Sequence, residues 1–310
     1  MRLRVSVVIC TRNRPDDLAA CLASLAAQTR RPDEVVVVDA SDGDEPRRRV
    51  EAWTAGVTGV DVRHRSAAPG LTRQRNVGVA LATGDVVTFL DDDVVLEPGY
   101  LDAIAELFEV DPVLGGAEGT VAMAPLRGRR RLANAFRRVF LMNALGRSRG
   151  VKRSGFVAYD AWPRTVQLVT SLVGCNMTYR REVFRRFRFD EWFDGYGLCE
   201  DQDFSWRVGR VWRLVQTPHA RLEHRLSPVE RAKLPALHEM TTVNHWYFVQ
   251  KNLPPGVLTW LAFCWSELGE LVSVLKTGDL ASLAAIVRGY RRVIGLRRNH
   301  VPVPVEEASR

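Results

Sequence analysis

Cysteine is scarce in this chain and never spaced for a metal or a disulfide framework. Five occur in 310 residues, Cys10, Cys21, Cys175, Cys199 and Cys264, with no CxxC pair among them. That removes zinc fingers, dithiol redox chemistry and a disulfide scaffold, and points to a reducing compartment such as the cytoplasm. Long apolar runs are missing as well. The nearest to a membrane span, VLTWLAFCWSELGELVSVL from Val257, is interrupted by Glu267 and Glu270 and reads as an amphipathic helix. The run VSVVIC after two N-terminal arginines is too short for the central segment of a signal peptide and reads as a first strand, Val5 to Cys10. Glycine is absent from the loop behind it, CTRNRPDD, and neither GxxxxGK[ST] nor GxGxxG follows a strand. P-loop and dinucleotide-binding readings therefore fail. There is no internal repeat, and the one biased segment is the acidic-polar tail after Pro304.

What is present describes a globular protein: 46% hydrophobic and 26% charged residues, in a length that allows one large core with a smaller appended piece. The net charge of +8 is concentrated in RGRRRLANAFRRVF (127–140) and YRRVIGLRRN (290–299). Such stretches attract nucleic acid, anionic lipid headgroups or a diphosphate, or simply form a solvated face. No helix-turn-helix, RRM or zinc signature accompanies them, and aromatics do not interleave with the arginines, so nucleic acid is not the expected partner.

The first third alternates strand and helix. VSVVIC, DEVVVVDAS and GDVVTFLDDD are buried-strand runs, separated by the helical patterns DDLAACLASLAAQT and LTRQRNVGVALAT. This order implies a parallel sheet with helices on its faces. Asp39 ends the second of these strands and Asp91, Asp92 and Asp93 the third. In open α/β sheets that C-terminal edge is where ligands bind. After about residue 97 the pattern turns to helices and short irregular strands. GRSRGVKRSGFVAYDAWPRT (146–165) lacks periodicity and reads as a mobile loop or a long surface connection. From about Pro228 the chain reads as all-helical.

Three acids in a row repel unless something positive lies between them. Alternate side chains of extended backbone share a face, so Asp91 and Asp93 converge while Asp92 points elsewhere. Hard oxygen ligands with open positions suit Mg²⁺ or Mn²⁺ held jointly with phosphates, and a turn capped by acids is the plain alternative. The second cluster, EDQDFSWR from Glu200, reads as a helix start. An i, i+4 pair accounts for Asp203 and Arg207 and leaves Glu200 and Asp201 as candidates for a general base. His224 in RLEHRLS is a candidate ligand, with His219 its equal on residue type alone.

Taken together, these segments resemble the family 2 glycosyltransferases over roughly residues 4–226. VVICTRNRPDDLAACLASLAAQT is similar to the family's first strand and helix, and VVVVDASDGD to its second-strand motif, with Ala40 and Ser41 departing from Asp-Gly-Ser. GLTRQRNVGVALATGDVVTFLDDDV is the closest match, and GCNMTYRREVFRRFRFDEWFDGYGLCEDQDFSWRV resembles the acceptor-side segment ending in Glu-Asp. The resemblance implies a GT-A fold, a Rossmann-like α/β/α sandwich. Residues 1–227 would be the catalytic domain, divided into a nucleotide half (1–96) and an acceptor half (97–227). Residues 228–310 would be a helical extension.

It also implies roles. Thr11 and Asp39 would contact the nucleotide base, and Arg14 and Arg75 would hold the nucleotide or its phosphates. Asp91 would bind the ribose or the water shell of a divalent cation (Mn²⁺ or Mg²⁺), with Asp92 beside it at the donor. Asp93 and His224 would ligate the cation itself. Asp201 would be the base of an inverting displacement, with Glu200 orienting the acceptor. Gly174, Cys175 and Asn176 would pass close to the donor sugar, and Trp192, Phe193 and Tyr196 would stack on acceptor rings, or else pack in the core.

The expected partners are a nucleoside-diphosphate sugar and a glycan or lipid-linked acceptor. The arginine- and alanine-rich composition points to a bacterial, GC-rich genome, and with the resemblance the expected setting is cell-surface polysaccharide synthesis. The apolar-faced C-terminal helices with terminal arginines imply peripheral contact with the inner leaflet, with a dimer interface or core packing as the alternatives. A sugar nucleotidyltransferase is the competing enzyme reading, weakened by the glycine-free first loop; a basic nucleic-acid-binding protein is the competing non-enzyme reading.

Overall fold

In the computed structural model, which describes residues 2–146, 150–225 and 234–298, the chain divides into two compact units. The first comprises Met1–Ala124 and Ala161–Ser227. Its strands are β1 (Val5–Thr11), β2 (Glu34–Asp39), β3 (Asp61–Ser66), β4 (Val86–Asp91), β5 (Val94–Leu96) and β6 (Leu114–Val121). Helices α1 (Pro15–Ala26), α2 (Glu45–Gly56), α3 (Leu71–Leu81) and α4 (Tyr100–Val110) alternate with them.

Strands β3, β2, β1 and β4 lie side by side in parallel. Their valines explain this. Val7, Ile9, Val35 and Val37 face α1, α2 and α4 on one side, and Val8, Val36, Val38 and Phe89 face α3 on the other. A strand buried on both faces needs a continuous apolar run, and each fully buried Val or Leu contributes roughly 1.5–3 kcal/mol. Gly78 lets α3 lie close to the sheet, since a Cβ there would collide with Val8.

The sequence reading passed over α2 and β3. Strand β3, DVRHRS, is a charged edge strand with no buried residue, so neither a buried-strand run nor clean alternation marks it.

The remaining strands of this unit are β10 (Gln167–Leu168), β11 (Met177–Arg180) and β12 (Arg213–His224), with helix α6 (Glu200–Gly209) before the last. Strand β11 runs antiparallel between β4 and β6. Strand β12 pairs in parallel with β6 and ends antiparallel to β5, which sets His224 opposite Val94. A long strand thus returns from across the sheet to the acids that follow β4.

The second unit comprises Pro125–Asp160 and Pro228–Arg310. It holds α5 (Gly128–Val139), a small sheet of β7 (Ala144–Leu145), β8 (Gly150–Val151) and β9 (Val157–Tyr159), and helices α7 (Leu234–Asn252), α8 (Val257–Leu275) and α9 (Leu280–Arg298). Residues 125–160, grouped on sequence with the acceptor half, pack here with the C-terminal helices. Phe140 stacks on Trp265 at 4.7 Å between ring centroids, and Trp265 Nε1 donates to Val139 O at 2.8 Å. Within this unit His245 is buried between Glu267 Oε1 (2.7 Å) and Ser154 O (2.9 Å), and Tyr290 Oη donates to Glu267 Oε2 at 2.7 Å.

Candidate active site

Parallel pairing aligns the strand ends. Thr11 is in register with Asp39, and Cys10 with Asp91, so three strands bring their polar residues to one edge. Gln74 of α3 ties two of these ends together, donating from Nε2 to Thr11 O at 3.1 Å and Val38 O at 2.9 Å. Beyond the edge, Asn13 Nδ2 donates to Asp42 Oδ2 at 2.9 Å and its backbone N–H to Ser41 Oγ at 2.7 Å. Asn13 has φ +58°, a left-handed conformation Asn tolerates better than most residues.

Of the three consecutive acids, Asp92 and Asp93 share Arg14 while Asp91 turns to Arg75. Asp92 is buried, accepts from Thr11 Oγ1 at 2.7 Å and from Arg14 Nη1 at 3.2 Å, and its carboxyl is pushed up to about 7 by burial, against the pull of Arg14 and the Thr11 hydroxyl. Asp93 lies 3.0 Å from His224 Nε2 and 3.5 Å from Arg14 Nη1. Asp91 lies 3.5 Å from Arg75 Nη2. Its carboxyl is raised by burial, with Arg75 and then His224 opposing.

Ligand atoms of Asp91, Asp93 and His224 all fall within 4.8 Å of one another. Two carboxylates and an imidazole, with Asp91 still about a third exposed, form a donor set that fits a small divalent cation with positions left for oxygen ligands from a substrate. His219, on the same strand, is exposed and belongs to no such cluster among the described residues.

Arg75 is the hub of the edge. Its guanidinium is buried and pairs with the Glu200 carboxylate through Nη1, while Nη2 faces Asp91 and donates to Gly174 O at 3.2 Å. These groups occupy the Arg75 donors that the sequence reading offered to the nucleotide. Burial and then Asp201 push Glu200 up to about 8, against Arg75.

Asp201 comes from the same helix start and is held by two backbone groups: Gly174 N–H donates to Oδ2 at 2.8 Å and Gln202 N–H to Oδ1 at 2.7 Å. The preceding loop turns through Gly195, Gly197 and Cys199, all with φ near +70°. Glycine accepts that conformation freely; Cys199 does not, at a cost of roughly 1–2 kcal/mol. Asn176 follows Gly174 and Cys175 at the entrance to β11. Its fully buried side-chain amide has no hydrogen-bond partner among the described residues.

The aromatic trio divides. Phe193 is fully buried and its carbonyl accepts from Thr72 Oγ1 at 3.2 Å, so its ring packs the loop rather than facing an acceptor. Trp192 is half-buried and Tyr196 is exposed. The reason lies in the tight turns around Gly195 and Gly197, which one-dimensional patterning does not resolve.

Sequence reasoning also missed His64, whose Nε2 lies 3.1 Å from Asp39 Oδ2, the other Asp39 oxygen accepting from Ser41 N–H at 2.8 Å. Recognising the polar edge strand β3 would have exposed it, since strand pairing sets Val37 opposite His64 two residues before Asp39.

Comparison with known proteins bears on this edge. The family described as Glycosyl transferase family 2 matches residues 6–188. The chain is similar to the glucosyl-dolichyl phosphate glucuronosyltransferase of Haloferax volcanii, 33% identical over 122 residues, which cover 38% of each protein. It is also similar to the uncharacterized glycosyltransferase YwdF of Bacillus subtilis, 26% identical over 219 residues, covering 70% of this chain and 72% of that one. The match thus spans little more than a third of the first of these relatives. Among solved structures, the mannosyltransferase PcManGT from Pyrobaculum calidifontis in complex with GDP-Man and Mn²⁺ superposes with a TM-score of 0.56 at 18% identity, over 95% of this chain and 81% of that one. GalNAc-T7 with UDP, GalNAc and Mn²⁺ gives 0.56 at 16%, over 86% and 55%. At these identities the likeness is one of fold, and that fold is GT-A.

Proposed function

Because the chain belongs to glycosyltransferase family 2, we propose that it transfers a sugar from a nucleoside-diphosphate sugar to a hydroxyl of a glycan or lipid-linked acceptor. The transfer inverts the anomeric centre and uses Mn²⁺ or Mg²⁺. One observation carries this reading: Arg75 joins the Asp91–Asp93–His224 group to the Glu200–Asp201 helix start at a single sheet edge. The Mn²⁺ and nucleotides named for the two structural neighbours, and the dolichyl phosphate named for the archaeal relative, are consistent with it.

Asp39, oriented by Ser41 and His64, offers its carboxylate to an N–H of the base. Thr11 fixes Asp92, and Asp92 with Asp93 holds Arg14 beside the acids, where its charge helps to hold the diphosphate. Asp93 and His224, with Asp91 beside them, would hold a divalent cation, which would supply Lewis-acid stabilisation to the departing nucleoside diphosphate. Asp201 takes the proton of the acceptor hydroxyl as that oxygen bonds to the anomeric carbon and the bond to the diphosphate oxygen breaks on the opposite face. A single displacement inverts the centre. Gly174 and Gln202 N–H groups keep both Asp201 oxygens in place, so orientation lowers part of the barrier. Glu200, clamped by Arg75, fixes the helix start toward the acceptor side. Gly174 and Asn176 border the donor sugar, and Trp192 and Tyr196 border the acceptor. The setting is cytoplasmic, in cell-surface polysaccharide synthesis.

Asp201→Asn tests the assignment of the base. Sugar transfer should fall by about 10²–10⁴-fold, while donor binding, read by ligand-induced thermal stabilisation, stays at the wild-type level. Transfer at the wild-type rate would remove Asp201 from the chemistry.

A further inference from the structure

Helix α8 buries polar residues and leaves large apolar ones exposed. Toward the interior of its own unit it turns Thr259, Ser266 and Glu267 together with Ala262 and Phe263. Glu267 is bonded there to both His245 and Tyr290. Outward it turns Val257, Leu258, Leu261, Trp265, Leu268 and Leu275, from 43% to 75% exposed. Their spacing, i, i+3, i+4 and i+7, places them along one stripe. An ordinary surface helix does the opposite, and a contiguous exposed apolar face marks an interaction surface.

Beside this stripe lies α5. Its C-terminal end is tied to α8 by the Phe140–Trp265 stack and the Trp265–Val139 hydrogen bond, and Lys276 lies 4.1 Å from the Phe136 ring centroid. Arg127, at the cap of α5, and Arg129, Arg130, Arg131, Arg137 and Arg138 are all exposed, as are Leu132 and Val139. Between Pro125 and Tyr159 the sequence has ten basic residues and no acidic one.

We propose that this face of the second unit, the apolar stripe of α8 with the arginines of α5, docks on the surface of an anionic lipid bilayer. Charge decides among the occupants. In a symmetric dimer built on this face the same patch would meet itself, bringing arginine against arginine. An anionic headgroup layer instead neutralises the arginines while the exposed leucines of α8 enter the acyl boundary. Helix α8 is long and apolar enough to cross a membrane, with a third of it buried inside the unit. Glu267, committed to His245 and Tyr290, keeps its inner face on the protein, so the helix lies in the interface plane rather than spanning.

The test is flotation of the full chain with vesicles of phosphatidylcholine alone and of phosphatidylcholine with phosphatidylglycerol, at low and high salt. Two variants accompany the wild type: Arg129→Ser/Arg130→Ser/Arg131→Ser and Leu261→Glu/Leu268→Glu. All five positions are exposed, and far-UV circular dichroism checks that both variants are folded. Wild type should float with the anionic vesicles and lose this at high salt. The arginine variant should partition on the order of 100-fold less, and the leucine variant about 10-fold less or worse. No flotation with anionic vesicles overturns the proposal. So does a leucine variant that floats like wild type, which would mean charge adsorption only. A wild-type dimer in sedimentation that Leu261→Glu/Leu268→Glu breaks, without vesicle binding, would overturn it in favour of a second copy. Donor-induced thermal stabilisation of the same variants stays at wild-type level, so failure here leaves the transferase assignment standing, and the reverse.

Discussion

The C-terminal edge of the large sheet and the outer face of α8 treat charge and hydrophobicity in opposite ways. At the sheet edge buried carboxylates lie against basic groups: Asp92 against Arg14, Glu200 against Arg75, Asp93 against His224. On α8 the buried positions include Ser266 and Glu267, and Leu258, Leu261, Leu268 and Leu275 face outward. Buried charge in a pocket is costly to maintain and marks chemistry; exposed leucine along one stripe is costly in water and marks a partner. Each region gives up stability for a different kind of contact, and substitutions separate the two.

The largest effect is expected at Arg75. Arg75→Met takes away the buried cation that faces Asp91 and Glu200, and in urea titrations above pH 8, where Glu200 is ionised, should lower unfolding free energy by about 3–5 kcal/mol. A change under about 1 kcal/mol would mean that the carboxylates do not depend on it.

A pH effect comes next. Burial and then Asp201 raise the Glu200 carboxyl from an ordinary 4.5 to about 8 in the folded chain, against Arg75. Between those values the folded state holds a proton that the unfolded state has released. The stability this provides is complete below pH 4.5 and is lost as pH rises through 8. Glu200→Gln should therefore flatten the fall in melting temperature between pH 5 and 8, and parallel curves for variant and wild type would contradict the assignment.

The smallest effect belongs to α8. Leu261→Ser should change stability by no more than about 0.5 kcal/mol, because Leu261 is 60% exposed and buries little on folding. A loss of 2 kcal/mol would show that the outer face is packed after all and erase the contrast with the sheet edge.

Much of the edge was readable from the chain because it is built from local runs. Four valines ending in Asp39, and a buried strand ending in three acids, carry their position with them, since parallel strands align their ends. The partners were harder to see. Thr11 and Asp92 are 81 residues apart, and Arg75 and Glu200 are 125; no period or spacing joins them, and only the sheet's register and the packing of α3 do. Edge strand β3 escaped because its charges conceal it, and His64 escaped with it. Phe193 and Tyr196 lie three residues apart in one aromatic loop, and turns at two glycines decide which is inside. The arginines of α5 and the apolar stripe of α8 are each visible in the sequence, but their adjacency follows from the Phe140–Trp265 stack more than a hundred residues across the chain.

The most direct test of the sheet-edge site is thermal stability with UDP, GDP and dTDP, each with and without Mn²⁺, on wild type and Asp93→Asn. A ligand at a hundred times its dissociation constant adds about 2.7 kcal/mol to the folded state, or roughly 4 °C for a chain of this size. One nucleotide should raise the melting temperature only when Mn²⁺ is present, and Asp93→Asn should abolish the rise. If no nucleotide stabilises the wild type, or if the rise survives without metal and in Asp93→Asn, then Asp91, Asp93 and His224 are not a cation-dependent nucleotide site.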